Sequence, residues 1–176
     1  EQYRSTVQEN ESCASVGAPS FFKATMPTAA YQTGAPLSAV QRGEFYVNLP
    51  DAALPPEKMR ALLAGHYGLE LTSAHEAYPG HHLQLSRANA APSLIRRLSA
   101  HSIMLIEGWG LYCEELLFEI GYTDDPYLKL QMLSDELWRA YRIVVDHGIQ
   151  TGIMPLEEGN PLYGAKPGLP RERAAR

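Results

Sequence analysis

One short stretch of the chain gathers residue types that bind metals. His75 and Glu76 are followed, within two helical turns, by His81 and His82. Neutral imidazoles are common zinc ligands, and in zinc peptidases of the H-E-x-x-H type the glutamate beside the first histidine takes a proton from water. The stretch therefore predicts a hydrolytic metal site, and a chance cluster of surface histidines is the simpler alternative.

The spacing differs from the usual motif, because proline occupies the position of the second histidine. On a straight helix His81 would point about 120° away from His75, and His82 would lie about 10.5 Å further along the axis. Pro79 removes the donor to the His75 carbonyl and Gly80 tolerates almost any backbone angle, so we expect the helix to open here. An opening that absorbs two extra residues makes His81 the second ligand, and one that absorbs three selects His82.

A second candidate ligand lies in the apolar run over residues 103–113. Glu107 stands inside this run, directly before Gly108 and close to Gly110. A buried carboxylate is costly unless it is paired or metal-bound, and each mid-helix glycine costs about 1 kcal/mol relative to alanine. The glycines therefore indicate that another backbone packs closely against this helix. The alternative is that Glu107 lies at the solvent edge of the apolar stripe.

The pattern of breakers and apolar stripes predicts a mainly helical chain with one strand. Residues 1–42 have little periodicity and are interpreted as an irregular segment with room for a short helix. Residues 43–49 alternate aromatic and β-branched side chains between breakers, which is typical of a strand. Helices are predicted after Pro56, near 69–78, over 81–90, from Pro92 to Gly121, and from Pro126 to about Gly152. Residues 159–176 are rich in Gly, Pro and Arg and are interpreted as a disordered tail.

Length and charge limit the classes of function. The chain has 176 residues, of which 45% are hydrophobic, so one domain or part of one is expected. The net charge of -5, with basic residues clustered only near the end, argues against a nucleic-acid partner. No apolar run approaches the ~18 residues of a membrane span. Cys13 and Cys113 are too few for a disulfide framework, and the sequence leaves the oligomeric state and compartment open.

Four separated blocks together resemble the bacterial family known as domain of unknown function 885. The first two blocks match H-E-x-x-P-G-H-x-x-Q, which ends at Gln84, and E-G-W-[AG]-L-Y-x-E, which spans residues 107–114. The other two match F-Y-V-N over residues 45–48 and R-x-V-V-D over residues 142–146. The family is similar to zinc metallopeptidases that take their third ligand from a glutamate on a following helix. The resemblance covers residues 43–158 and implies a mainly α, metallopeptidase-like catalytic core with a short edge strand or small sheet beside the active-site helix.

The resemblance also implies roles for individual residues. One zinc ion is expected between His75, His81 and Glu107, with Glu76 as the general base. Residues expected around the ligands are His82, Gln84, Glu114 and Asp146. Candidates to stabilise the oxyanion, which the sequence does not rank, are Tyr112, Tyr141, Arg142 and His147. A peptide substrate is expected to lie extended along a strand formed by Phe45, Tyr46, Val47 and Asn48.

Two departures from the family pattern affect these expectations. Gln150 stands where members usually carry a histidine, so we do not expect this side chain to transfer a proton. Members are several hundred residues long, so the chain is expected to be a fragment that carries the catalytic core. Two alternative functions stay open at this point: a helical binding or structural module of the same fold without catalysis, and a metal-dependent hydrolase of non-peptide substrates.

Overall fold

The computed structural model of the chain describes residues 9–23, 25–26, 28–64, 68–99 and 102–163. The chain divides into two compact units, Glu1–Asp124 and Asp125–Arg176. The described residues are mainly helical with a small sheet in the first unit, as the sequence predicts. No helix among these residues has the length and apolar character needed to cross a bilayer.

The sheet of the first unit has three strands in the described residues. They are β1 (Glu11–Gly17), β2 (Ala29–Gln32) and β3 (Gln41–Val47). Their order is β1-β3-β2, and β3 runs parallel to β1 and antiparallel to β2. The interpretation of residues 1–42 as irregular is therefore wrong for β1 and β2. Small and polar residues dominate β1, and β2 has four residues, so both depend on pairing with β3 rather than on their own propensity.

The helices of the first unit follow the breakers in the sequence, with one exception. They are α1 (Ser20–Lys23), α2 (Pro56–Ala64), α3 (Leu69–Glu76), α4 (His81–Asn89), α5 (Leu94–Ser99) and α6 (Ile103–Glu119). The single helix predicted from Pro92 to Gly121 is two helices, and the Ser102 side chain caps α6 by accepting from the N–H of Leu105. Gly121 follows α6 with a φ of 71°, as expected of a residue that ends a helix.

The core of the first unit lies where α3 and α4 pack against α6 and the sheet. Its apolar side chains are Leu71 and Ala74 of α3, Leu83 of α4, and Cys113 and Leu117 of α6. On β3 the buried positions alternate with exposed ones, which places one face of the strand against α4. This arrangement brings the carboxyl end of α3, the start of α4 and the middle of α6 close together.

The second unit contains α7 (Pro126–Gln150) and α8 (Leu156–Tyr163). Asp125 caps α7 by accepting from the N–H of Tyr127, which confirms the predicted start of this helix. Gly159 packs against α7, where an added Cβ would lie 2.6 Å from the Cδ1 of Ile149. The predicted tail is therefore helical over residues 159–163, and its remainder, residues 164–176, lies outside the described residues.

Candidate metal centre

The helix opens between His75 and His81, as the Pro-Gly pair predicts. α3 ends at Glu76, α4 begins at His81, and residues 77–80 form a tight turn between them. Ala77 has left the helical region, with φ -103° and ψ -102°. The turn folds back so closely that a Cβ on Gly80 would lie 1.8 Å from the carbonyl oxygen of His75. Only glycine fits at this position.

The opening brings the three predicted ligands together. The rings of His75 and His81 meet edge to face with their centroids 4.6 Å apart, and these residues are 8% and 7% exposed. From α6, Glu107 places Oε2 3.5 Å from His75 Nε2 and Oε1 3.9 Å from His81 Nε2. Two imidazole nitrogens and one carboxylate thus face a common point.

Glu76 joins the same cluster from the end of α3. One ligand atom each from His75, Glu76 and His81 lies within 4.8 Å of the others. Burial raises the pKa of Glu76, His75 opposes that rise and Glu107 adds to it, while a hydrogen bond from the backbone N–H of Tyr31 favours the charged form. Two carboxylates therefore reach the centre, and Glu76 is the one that also contacts the sheet.

Glu114 orients the first histidine. His75 donates its Nδ1–H to Oε1 of Glu114 over 2.8 Å, and Glu114 is buried. A carboxylate accepts hydrogen bonds, so the proton lies on Nδ1 and the lone pair lies on Nε2, which faces Glu107. Such a partner fixes the tautomer and ring orientation of a metal-binding histidine. This contact agrees with the position expected for Glu114.

The state of His81 also suits a metal ligand. Burial, with a further contribution from His75, lowers the pKa of His81 to about 4, so the ring is neutral near pH 7. Its Nδ1 is buried and makes no hydrogen bond to any described residue. Two neutral imidazoles with one or two carboxylates are a donor set that fits zinc, and the chemistry of the residues present is therefore compatible with that ion.

The two glycines of α6 differ in whether an added side chain would fit. A Cβ on Gly110 would lie 2.6 Å from both Cε1 and Nε2 of His75, whereas a Cβ on Gly108 would meet nothing within 4 Å. The predicted backbone neighbour is therefore wrong at both glycines: the close neighbour of Gly110 is the ring of His75, and Gly108 has none within 4 Å. Two further bonds hold α6 in place: Trp109 donates from Nε1 to the Pro79 carbonyl over 2.9 Å, and Gln84 donates to the Leu105 carbonyl over 3.3 Å.

His82 faces the sheet. It is fully buried, and its Nδ1 hydrogen-bonds the hydroxyl of Tyr31 over 2.8 Å. The ring of Tyr78 packs against it, and a Cβ on Gly43 would lie 2.6 Å from its Nδ1. Of the two adjacent histidines, His81 is thus the one that reaches His75 and Glu107. Tyr31 was missed by the sequence reasoning, since it stands in a segment that carries no strand signal.

The strand expected to hold substrate lies in the middle of the sheet. β1 and β2 pair with β3 on its two sides through Phe45, Tyr46 and Val47, so its backbone groups are already used. Phe45 is 5% exposed, and Asn48 donates from Nδ2 to the carbonyl of Met26 over 2.8 Å. The prediction that these residues form an edge strand for a peptide is therefore wrong, because residues far away in sequence occupy both sides.

The remaining candidates lie on α6 and α7. Tyr112 of α6 packs beside Trp109, and its hydroxyl donates to Oε2 of Glu119 over 3.3 Å. In the second unit, the guanidinium carbon of Arg142 lies 4.9 Å from the centroid of the Trp138 ring. The roles expected at the centre stay predictions for four residues of α7, namely Tyr141, Arg142, Asp146 and His147.

The fold and site define a helical domain with a small sheet and a centre formed by two buried histidines, the half-buried Glu76 and the exposed Glu107. The family model described as "Bacterial protein of unknown function (DUF885)" matches the chain over residues 1–176. The chain belongs to this family. No curated protein is similar enough to this chain to count as a match.

Solved structures support the fold. The "putative lipoprotein" from Colwellia psychrerythraea is 28% identical with a TM-score of 0.72, and the match covers 93% of this chain and 27% of that one. The "putative lipoprotein of unknown function" from Shewanella oneidensis is 24% identical with a TM-score of 0.73, over 96% of this chain and 30% of that one. The second likeness shows the fold alone. The chain spans less than a third of either structure.

Proposed function

We propose that the chain carries the catalytic core of a zinc-dependent hydrolase whose substrates are peptides. One observation carries the proposal: His75, Glu76 and His81 bring a ligand atom each within 4.8 Å of the others, Glu107 approaches both histidines, and Glu114 orients the buried His75. His75, His81 and Glu107 would hold the ion, which leaves Glu76 for proton transfer. A zinc ion in such a site lowers the pKa of water towards about 7 and polarises the scissile carbonyl.

Glu76 is the proposed general base. It accepts a proton from the attacking water and returns it to the leaving amine nitrogen. Burial raises its pKa, which makes the carboxylate a better base than an exposed glutamate. The N–H of Tyr31 holds the same carboxylate, so the base is anchored to β2 as well as to α3. Glu107 contacts His75 and His81 from α6, and its side chain is 57% exposed.

The outer edge of β2, which pairs with no further strand among the described residues, supports a peptide as substrate. The Asn48 N–H donates to the Thr28 carbonyl over 2.8 Å, so residues 28 and 48 form a hydrogen-bonded pair. Bonded and non-bonded pairs alternate in an antiparallel ladder, so Ala29 and Tyr31 direct their backbone groups away from β3. Tyr31 meets Glu76 on that side. An extended peptide that pairs with this edge would therefore lie beside the base.

Zinc content and hydrolysis, measured on the same samples, test the proposal. Glu76→Gln should keep the zinc of the wild type and lower the rate of peptide hydrolysis by about 10²–10⁴-fold, the usual contribution of a general base. Glu70→Gln on the exposed face of α3 is the matched control and should leave both unchanged. Full hydrolysis by Glu76→Gln would exclude Glu76 as the base, and wild-type protein that binds no zinc would exclude the metal.

A further inference from the structure

A pocket lined by all four residues of β2 is not used by the proposed reaction. Its volume is 270 Å³. The apolar part of its wall is formed by Phe22, Met26, Ala30 and Tyr46, and Gln32 adds a polar rim. Pockets that take a whole small molecule usually measure about 300–1,000 Å³, so this one suits a smaller group such as a single side chain.

The wall of this pocket is held in place by specific contacts. The ring of Phe22 meets the ring of Tyr46 edge to face with centroids 5.7 Å apart. Asn48 donates from its side-chain amide to the carbonyls of Met26 and Lys23, over 2.8 and 3.2 Å, which ties these two residues to the end of β3. The pocket therefore has a fixed wall on both the strand side and the loop side.

The alternation of side chains relates the pocket to the edge of the sheet. Tyr31 pairs with Phe45, and its hydroxyl reaches His82 on the α4 side of the sheet. Ala30 pairs with Tyr46, so these two side chains lie on the opposite face, where the pocket is. A peptide paired with β2 also alternates its side chains between the two faces. Every second side chain is thus directed towards the face that carries the pocket.

We propose that this cavity, the β2 pocket, receives one large apolar side chain of a peptide bound along β2. The inference rests on the proposed function and adds the class of substrate to it: peptides with an aromatic or large aliphatic residue near the bond to be cleaved. The occupant follows from two features together, namely the apolar wall and the outward backbone groups next to it: the N–H and carbonyl of Ala29 and the carbonyl of Tyr31, whose N–H is held by Glu76. Charged side chains are disfavoured, because no charged residue lines the pocket in the described part of the chain.

Binding of blocked tetrapeptides to zinc-loaded Glu76→Gln protein tests this inference without turnover. The peptides contain alanine except at one position, which is phenylalanine, leucine, alanine or aspartate, and that position is moved along the peptide. At one position, phenylalanine should bind about ten- to a hundredfold tighter than alanine, as expected for burying one large apolar side chain. Equal Kd values for phenylalanine and alanine at every position would overturn the inference.

Two variants test whether the preference for phenylalanine arises at the β2 pocket. Ala30→Leu fills the pocket and should abolish most of the preference for phenylalanine, while Ala14→Leu is the matched control because Ala14 pairs with Glu44 on the same face, on β1. If Ala30→Leu fails to fold, as judged by circular dichroism, Phe22→Ala at a partly exposed wall position replaces it and should weaken binding of the phenylalanine peptide several-fold. An undiminished preference for phenylalanine in the folded variant that is used would place the side chain elsewhere and overturn the inference.

Wild-type hydrolysis separates this inference from the proposed function. Selective binding that Ala30→Leu abolishes, without cleavage by the wild type, would support the β2 pocket and contradict the hydrolase. Cleavage of all four peptides at equal rates, with equal Kd values, would support the hydrolase and overturn the β2 pocket. Absence of any peptide binding would also overturn the proposed role of the β2 pocket.

Discussion

The two glycines of α6 form a matched pair for testing how closely the centre is packed. A Cβ on Gly110 would lie 2.6 Å from His75 Nε2, while carbon contacts are normally ~3.5–4.0 Å. The ring or the helix must therefore move by about 1 Å in Gly110→Ala. The ring is tied to Glu114 at 2.8 Å, so the displacement disturbs that hydrogen bond as well.

Zinc affinity should respond strongly to this displacement. Changes to the groups that orient a metal ligand typically lower affinity by about 10–100-fold, and we expect a loss of at least that size in Gly110→Ala. Gly108→Ala adds the same methyl group where nothing lies within 4 Å, so its zinc affinity should equal that of the wild type. Competition with a chromophoric chelator measures both. Equal affinities for the two variants would refute the packing of Gly110 against a ligand histidine.

The Tm should respond differently in Gly108→Ala and Gly110→Ala. Alanine is about 1 kcal/mol better than glycine inside a helix, which corresponds to a rise of ~2–4 °C in the Tm of a chain of this size. Gly108→Ala should show this rise in zinc-free protein. In Gly110→Ala an overpacking cost of about 1–3 kcal/mol offsets it, so the Tm should be unchanged or lower. A rise in both variants would show that the ring moves without cost.

Two further changes test the contacts that frame the centre. Tyr31→Phe leaves the fully buried His82 without its hydroxyl partner, so it should lower the free energy of unfolding by about 1–3 kcal/mol in chemical denaturation while zinc content stays at the wild-type level. Zinc loss in this variant would mean that His82 belongs to the metal centre. Pro79→Ala/Gly80→Ala cannot keep the present turn, because the Gly80 Cβ would overlap the His75 carbonyl. It should retain or gain helix by circular dichroism yet lose zinc, and normal zinc in a well-folded double variant would contradict the role of the turn.

The opening of the helix between α3 and α4, which brings His81 to His75, was predictable from local chemistry. Pro79 lacks a donor and Gly80 lacks a side chain, and both constraints act within a few residues. The same local reasoning placed Glu107 on a helix with a close neighbour at Gly110, although that neighbour is the ring of His75 and not the predicted backbone. These features of the candidate centre could be read from the sequence because each depends on one residue type at one position.

The sheet was less predictable because its strands depend on distant partners. β1 has few apolar residues, and β2 is only four residues long, so neither gives a periodic signal of its own. The aromatic pattern of β3 does identify a strand, but it carries no information on whether neighbours lie on one side or both. For this reason the edge was assigned to Phe45–Asn48 and the contact of Tyr31 with Glu76 and His82 was missed. Pairing over such separations is decided by tertiary packing.

Anomalous scattering at the zinc edge, from crystals of protein purified with zinc, tests the proposed centre most directly. We expect a single peak about 2.0–2.1 Å from one nitrogen each of His75 and His81, with a carboxylate oxygen of Glu107 at a similar distance and Glu76 left free to meet water. No peak at this position, or a peak bound by His82 instead of His81, would contradict the account.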